Sequence, residues 1–200
     1  VGMVHLSIRN QFADVVPFLK PNGIIAAAGP GESDYTRYDR AIADLACQWL
    51  GDAGDSATPW VLFVSFVTPH FPLLAPEEFF AMYPPASMPL PKAGPGSNFQ
   101  THAWLQNYVE VTDARGYSDE QHRIAAAAYL GLVSFMDAQV GRVVGALQAN
   151  GLGDNTRIMY TSDHGENAGV RGLWGKSNHY QEAGGIPMII AGAGVPEGRV

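Results

Sequence analysis

An aspartate and a histidine stand side by side at Asp163 and His164, separated from a preceding apolar run only by Thr161 and Ser162. The apolar residues of 157–160 predict a β-strand, and open α/β sheets bind ligands at the carboxyl ends of their strands. A carboxylate and a neutral imidazole together suit a divalent cation. Lys176 can return to the same point with a positive charge for an anion. The alternative is a surface turn capped by Asp163.

A second histidine, His70, follows another apolar run. Residues 60–67 are β-branched and aromatic, which is typical of a strand buried on both faces in a parallel sheet. A packed loop histidine is the simpler interpretation of His70 alone. Its place at a strand end, together with Asp163 and Lys176, favours a catalytic role. His179 is a weaker candidate, because a surface residue at the start of a helix has the same pattern.

The elements that position these residues alternate between strands and helices. Three apolar runs, 60–67, 157–162 and 186–191, predict neighbouring strands of one mostly parallel sheet. Helical spacing of apolar residues over 36–50 and 118–149 predicts two helices packed on its faces. The predicted fold class is therefore α/β, with a mostly parallel sheet sandwiched by helices.

Shorter signals add detail to this pattern. Ser118 and Gln121 have the spacing of a capping box at the start of the second long helix. A short helix is predicted over 76–82, with a proline at its first position. Residues 84–117 contain five prolines and no helical or strand periodicity, so we expect a long variable loop.

Composition excludes several classes of protein. The chain has 200 residues, 46% hydrophobic and 16% charged, and a net charge of −7, which argues against a nucleic-acid partner. Its single cysteine, Cys47, excludes an internal disulfide framework, and its helical context predicts a buried structural thiol. No apolar segment reaches the ~20 residues of a membrane span. Because the chain begins at Val1 and ends just after a strand, we expect it to be part of a longer protein.

Three stretches taken together resemble the sulfatase family of the alkaline phosphatase superfamily, and in particular arylsulfatase-like and choline-sulfatase-like enzymes. They are Phe63–Pro72, Tyr129–Leu147 and Tyr160–Lys176. The first carries Pro-His, and the third carries Ser-Asp-His-Gly followed by Leu-Trp-Gly-Lys. The resemblance implies an alkaline phosphatase/sulfatase-like fold that is incomplete at the N-terminus. Residues 1–200 would be a single partial catalytic domain, its central to C-terminal part, with 1–34 weakly assigned and 84–117 variable.

The resemblance also implies roles for individual residues. Asp163 and His164 correspond to ligands of a divalent cation, Ca²⁺ in most sulfatases, with Mn²⁺ or Mg²⁺ as alternatives. His70 and Lys176 correspond to the catalytic pair that contacts the sulfate group and the leaving-group oxygen, and His179 could flank the substrate. Many sulfatases have Asn in place of His164. Choline-sulfatase-like enzymes and phosphonate monoester hydrolases share the histidine, which leaves metal and substrate class open.

The nucleophile motif of the family, Cys-x-Pro/Ala-x-Arg, is absent from this chain. In sulfatases its cysteine or serine is oxidised to formylglycine, whose hydrate attacks the ester. Cys47 is followed by Gln-Trp-Leu-Gly and does not fit the motif. We therefore expect the formylglycine, and the paired aspartates that complete the metal site, to lie upstream of Val1. The parent protein is expected to be a sulfuric ester hydrolase and the isolated chain to be inactive.

Two other functions stay open at this point. One is a phosphonate or phosphate ester hydrolase of the same superfamily, and the other is a non-catalytic, truncated anion-binding domain. The expected partner is a small anionic ester, a sulfate ester for the sulfatase interpretation. An uncovered strand edge would also allow a homo-oligomer.

Overall fold

Two long helices dominate the part of the chain that the structure describes. The structure, a computed structural model, describes residues 24–53, 58–92 and 116–198. The elements in chain order are strand β1 Gly29–Pro30, helix α1 Asp34–Ala53, strand β2 Leu74–Ala75, helix α2 Glu77–Phe80, helix α3 Asp119–Ala149, strand β3 Arg157–Thr161, helix α4 Gln181–Gly184 and strand β4 Met188–Gly192. Short 3-10 turns lie at Pro85–Ser87, Gly153–Asn155 and Val170–Gly172.

Helix α1 confirms the helix predicted over 36–50 and extends it at both ends. Ser33 and Thr36 begin it reciprocally, since Ser33 Oγ accepts the Thr36 N–H and Thr36 Oγ1 accepts the Ser33 N–H. Small apolar residues are then buried at helical spacing, from Ala43 and Ala46 to Leu50. Cys47 is half-buried rather than buried, because it lies beside this stripe.

Helix α3 confirms the helix predicted over 118–149, including its capping box. Ser118 accepts the backbone N–H of Gln121, and the Gln121 side chain accepts the N–H of Ser118. The helix packs against α1, where Arg142 forms an ion pair with Asp44, and against β1, β2 and α2. Gly131 permits this close approach, because a Cβ there would lie 2.9 Å from the Cβ of Ala75.

A core cluster joins α3 to the small sheet and to the loop that follows β3. Its buried members are Ile25, Leu73, Ala75, Ala125, Ala128, Leu132 and Trp174. Burial of these apolar surfaces holds the loop containing Trp174 against the middle of α3.

The strand pairing differs in part from the prediction. Strands β1 and β2 are parallel, as an α/β class requires, but each has only two residues. Strands β3 and β4, from the predicted runs 157–162 and 186–191, pair antiparallel, with Arg157 opposite Gly192 and Thr161 opposite Met188. The expectation that these two runs are parallel neighbours is wrong. The connection between them contains a 3-10 turn at Val170–Gly172 and the four-residue helix α4, so it lacks the long crossover helix that usually joins parallel strands.

The third predicted strand, 60–67, is not assigned as a strand within the described residues. Its side chains nevertheless alternate in exposure, with Val61 96% and Phe63 87% exposed and the residues between them half-buried. A cavity of about 580 Å³ separates this run from β3. The apolar side chains of Met136, Val140, Val143, Val144 and Leu147 on α3 line it.

Helix α3 has the length and mean hydropathy, 1.4, of a membrane span, contrary to the expectation that no segment would. Of that apolar window, 44% is buried within the chain. A core helix meets the same criterion when it packs on several elements, as α3 does. These observations establish no membrane.

The predicted variable loop 84–117 lies mostly outside the described residues, which resume at Gly116. The same holds for most of the weakly assigned segment 1–34, since the description begins at Ile24.

Candidate active site

His70 lies at a corner directly after the 60–67 run. Its Nδ1 is 2.8 Å from the carbonyl oxygen of Phe71. A carbonyl oxygen only accepts, so Nδ1 carries the proton of this bond and Nε2 faces other partners. The ring of Tyr35, from the first turn of α1, packs edge-on against the imidazole with centroids 5.9 Å apart. The peptide bonds Thr68–Pro69 and Phe71–Pro72 are both cis.

The electrostatic surroundings of His70 identify its neighbours. Burial lowers the pKa of the imidazole below its ordinary value, and the charges of Lys176 and His164 lower it further. The hydrogen bond to Phe71 and the charge of Asp163 act in the opposite direction. Such charges act strongly only at close range, so Lys176, His164 and Asp163 lie near His70. Their roles in one catalytic site stay predictions.

Asp39 supports this corner and was missed by the sequence analysis. It is fully buried on the inner face of α1, and its carboxylate accepts the backbone N–H groups of Val67 and Thr68, each at 2.8 Å. The Thr68 hydroxyl donates to the same carboxylate at 2.6 Å. The available signal was a charged residue on a helix face otherwise occupied by small and apolar residues.

Asp163 and His164 form a corner after β3, with Asp163 exposed and His164 half-buried. The side chain of Asp163 is 84% exposed, and its Oδ1 accepts the N–H of His164 at 3.0 Å. His164 Nδ1 lies 2.9 Å from the carbonyl oxygen of Gly165, so here too Nδ1 carries the proton. His164 Nε2 is 3.5 Å from Asp163 Oδ2. A metal-bound histidine commonly donates its other N–H to a carbonyl in this way.

The loop after this corner is held by its own residues. Glu166 is half-buried and accepts the N–H of Ala168 at 3.1 Å and that of Gly175 at 2.5 Å. Asn167 is fully buried, and both its backbone N–H and its side-chain amide donate to the Gly175 carbonyl. These bonds close the loop and set the position of Lys176. The contacts of Glu166 are those of a carboxylate that supports the loop, not of a solvated one.

Lys176 completes the group of charged side chains. Its Nζ lies 5.8 Å from the centroid of the Phe71 ring, which places it beside the His70 corner. Burial lowers the pKa of Lys176, while the charges of Glu166 and Asp163 raise it. Burial raises the pKa of Glu166, and its two backbone hydrogen bonds and the charge of Lys176 lower it. His179, the weakest candidate, is exposed.

Comparison with known proteins identifies the family. The model of the Sulfatase family matches residues 1–199. The chain belongs to the sulfatase family. The predicted resemblance to sulfatases is thereby confirmed. The homologues of this chain are hydrolases of the alkaline phosphatase superfamily.

Individual relatives include both sulfatases and a phosphonate hydrolase. The choline-sulfatase of Rhizobium meliloti is 31% identical over 184 residues, which cover 88% of this chain and 36% of the relative. A multifunctional alkaline phosphatase superfamily protein of Trinickia caryophylli is 30% identical, covering 70% and 30%. The solved phosphonate monoester hydrolase of Silicibacter pomeroyi has a TM-score of 0.66 at 30% identity, covering 88% of this chain and 34% of that one.

These likenesses confirm the predicted α/β fold of the alkaline phosphatase type. They also show that the sulfatase chain described here spans about a third of the length of the curated relatives it matches.

The sulfatase family is generally metal-dependent. Within the described ranges, no three His, Cys, Asp or Glu side chains group closely enough to hold a metal ion. Asp163 and His164 supply two donors, whereas Ca²⁺ takes about six to eight oxygen ligands. The described residues therefore fit part of a metal site and not a complete one.

Proposed function

We propose that this chain is the central to C-terminal part of a sulfatase catalytic domain that hydrolyses a small anionic sulfate ester. The observation that supports this most directly is the position of Lys176 beside the His70 corner, with its Nζ 5.8 Å from the centroid of the Phe71 ring. The charges of Asp163 and His164 also act on His70. Family membership gives the reaction class, ester hydrolysis. An ammonium group and an imidazole suit an anionic ester, because they can stabilise negative charge on its oxygens.

Lys176 binds the sulfate group in this proposal. Its ammonium group is half-buried, and burial lowers its pKa because a desolvated charge is unfavourable. An anionic ester beside it would offset that cost, since the attraction between opposite charges strengthens as water is excluded. The lysine therefore acts as a point charge that orients the ester and stabilises negative charge on its oxygens.

His70 protonates the leaving-group oxygen. Its Nδ1 proton is committed to the Phe71 carbonyl, so the proton that moves is the one on Nε2. In the free protein, burial and the nearby cation of Lys176 keep the pKa low, and a bound anion would raise it towards neutrality. A group whose pKa lies near the working pH is an effective general acid.

Asp163 and His164 provide two ligands of a divalent cation in this proposal, Ca²⁺ in preference to Mn²⁺ or Mg²⁺, and the remaining ligands come from outside the described residues. When bound, such a cation polarises the ester oxygens. The nucleophile is a formylglycine that lies outside this chain. Cys47 does not serve, because it lies within α1 with its Sγ 3.6 Å from the Arg142 carbonyl.

The test is turnover by the full-length protein and its variants. We expect kcat/KM to be higher for an aryl sulfate than for an aryl phosphonate monoester. His70→Gln should lower kcat by about 10²–10⁴-fold with an alkyl sulfate, whose poor leaving group needs a proton. Lys176→Ala should lower the turnover of the alkyl sulfate and of the aryl sulfate alike. Lys92→Ala, which removes an exposed lysine, is the control. Equal, unimpaired turnover by all three variants would contradict the roles of His70 and Lys176.

A phosphonate monoester hydrolase is the second candidate. The likeness to the Silicibacter pomeroyi enzyme, at a TM-score of 0.66, favours it. Preference of the full-length protein for the phosphonate ester would select this function. Sulfate binding without turnover of either ester would select the non-catalytic anion-binding domain.

The 200-residue chain alone should not hydrolyse sulfate esters and should bind divalent cations weakly. It contains two of the expected metal ligands and lacks the proposed nucleophile. Its exposed apolar side chains, including Val61 and Phe63, should also favour self-association. Aryl sulfate turnover and sedimentation of the purified chain check both statements. Metal-dependent turnover comparable with that of the full-length protein would mean that the nucleophile lies within these residues.

A further inference from the structure

Asp39 is a buried carboxylate for which the proposed chemistry has no direct use. It is 0% exposed and lies on the face of α1 that also buries Thr36 and Ala43. Among the residues that the structure describes, its carboxylate forms no ion pair. A buried carboxylate without a cation is unfavourable unless hydrogen bonds hold its charge. The donors that Asp39 has recruited therefore show where its charge acts.

All three donors belong to the two residues that precede Pro69 and His70. Asp39 Oδ1 accepts the N–H of Val67 at 2.8 Å. Asp39 Oδ2 accepts the N–H of Thr68 at 2.8 Å and its hydroxyl at 2.6 Å. The Val67 carbonyl in turn accepts the N–H of His70 at 3.1 Å. The carboxylate thus fixes the turn that leads directly into the histidine.

A second residue of the same helix face contacts the same corner. Tyr35 precedes Asp39 by four positions, one turn of α1, and packs edge-on against the His70 ring. The run 60–67 has no strand partner within the described residues. Among those residues, therefore, no ladder of backbone hydrogen bonds between strands holds the run that leads into the corner. Helix α1 contacts both the backbone before His70 and the imidazole itself.

We propose that Asp39 is a positioning residue, which holds Val67 and Thr68 and thereby sets the location of the His70 imidazole in the site. The inference rests on the function proposed for His70. Asp39 touches neither the ester nor the nucleophile, so its effect on the reaction passes through His70.

The variant that tests this is Asp39→Asn in the full-length protein. Asparagine keeps the size but turns one oxygen into an N–H donor, which must face a donor of Val67 or Thr68. Asp34→Asn is the matched control, because it removes the same charge from the same helix at a side chain that is 94% exposed. We expect faster amide exchange at Val67 and Thr68 and shifted His70 ring signals in Asp39→Asn, and neither change in the control.

The kinetic readout separates positioning from general destabilisation. With an alkyl sulfate, Asp39→Asn should lower kcat by about 10–10²-fold, as expected for a misplaced general acid. With an aryl sulfate, whose leaving group needs less help from a proton, the loss should be smaller. In the His70→Gln background, Asp39→Asn should cause no further loss, because the two residues act through one group. Asp34→Asn should leave both rates unchanged.

The outcomes distinguish the positioning role of Asp39 from the acid role of His70. Unchanged exchange and ring signals in Asp39→Asn, or losses that multiply in the double variant, would overturn the positioning role. Altered exchange and ring signals, combined with a His70→Gln variant that shows no leaving-group dependence, would support positioning and refute the acid role of His70. If Asp39→Asn does not fold, Thr68→Val removes only the hydroxyl donor and should give a smaller effect of the same kind. Unaltered turnover of the alkyl sulfate by that variant would also overturn the proposal.

Discussion

His70 and His164 have the same local hydrogen bond but different kinds of support. Each lies close to the carbonyl of the following residue through Nδ1, at 2.8 Å and 2.9 Å. The corner of His70 is held by Asp39, 28 and 29 positions before the residues it binds. The corner of His164 is followed by a loop whose first residues are held by hydrogen bonds within the loop and to α4, while Trp174 further along packs against α3.

The two halves of the site therefore depend on different contacts. Around His164 and Lys176, the hydrogen bonds and close contacts of Gly165, Glu166 and Asn167 set the path of the loop, and Trp174 anchors its far end in the core. Single substitutions there should displace the loop while α1 and α3 stay folded. Around His70, support comes from a helix that is itself part of the core, so small changes in the corner should be tolerated better than loss of the helix contact.

The largest expected effect is that of Gly165→Ala, which tests the local support. A Cβ at this position would lie 2.1 Å from the carbonyl oxygen of Glu182 and 2.7 Å from that of Gly185, and neither backbone group can move without shifting α4. We expect a loss in free energy of unfolding at or above the ~1–3 kcal/mol typical of overpacking, measured by urea denaturation.

Gly184→Ala is the matched control for that substitution. It lies in α4 itself, where a Cβ meets no atom within 4 Å, and alanine favours a helix. We expect its unfolding midpoint to be unchanged or slightly raised. Equal midpoints for the two variants would show that Gly165 and α4 do not pack as described.

A smaller effect is expected for Glu166→Ala. The substitution leaves the N–H groups of Ala168 and Gly175 without their acceptor. Hydrogen bonds to charged groups contribute about 1.5–3 kcal/mol, and we expect a loss in unfolding free energy towards the lower end, because burial already raises the pKa of this carboxyl. Glu77→Ala, at an exposed glutamate of α2, is the control. Amide exchange at Gly175 should accelerate only in Glu166→Ala, and protection retained there would contradict the role of Glu166.

The same contrast explains how much could be predicted from the sequence. Both long helices were predicted almost to their ends, because apolar spacing and the Ser118–Gln121 capping box are local signals. The motifs of the candidate site were also local, since Asp163, His164 and Lys176 stand in one short segment. Glu166, which supports the loop, lies in the same segment, so this role too depends on residues close in the sequence.

What could not be predicted depends on contacts distant in the sequence. Apolar continuity identifies a strand but says nothing about its direction, and so the antiparallel pairing of β3 with β4 was missed. Asp39 was missed because its partners, Val67 and Thr68, become neighbours only when α1 packs beside the 60–67 run. The exposure of Val61 was also missed, because an apolar run predicts burial but does not reveal which part of the protein would cover it.

The smallest expected effect joins the two halves of the site, through the charge of Lys176 on His70. Burial is the main cause of the low pKa of His70. The charge of Lys176 is the largest charge effect that lowers it further. Lys176→Met should therefore raise the pKa of His70 without restoring its ordinary value. Lys92→Met, at a lysine that is exposed, should leave it unchanged. The measurement is the pH titration of the His70 ring signals in the presence of a chelator, assigned with His70→Gln.

The same shift sets the pH dependence of stability. Because the pKa of His70 is lower folded than in the unfolded chain, about 6.5, the unfolded chain binds more protons between the two values. Stability from this residue is therefore complete above the unfolded pKa and is lost as the pH falls through that window. Lys176→Met narrows the window, so the unfolding free energy should depend less steeply on pH there than in the unsubstituted protein. An unaltered His70 titration in Lys176→Met would show that Lys176 and His70 do not share one site, since a cation beside the imidazole must repel its proton.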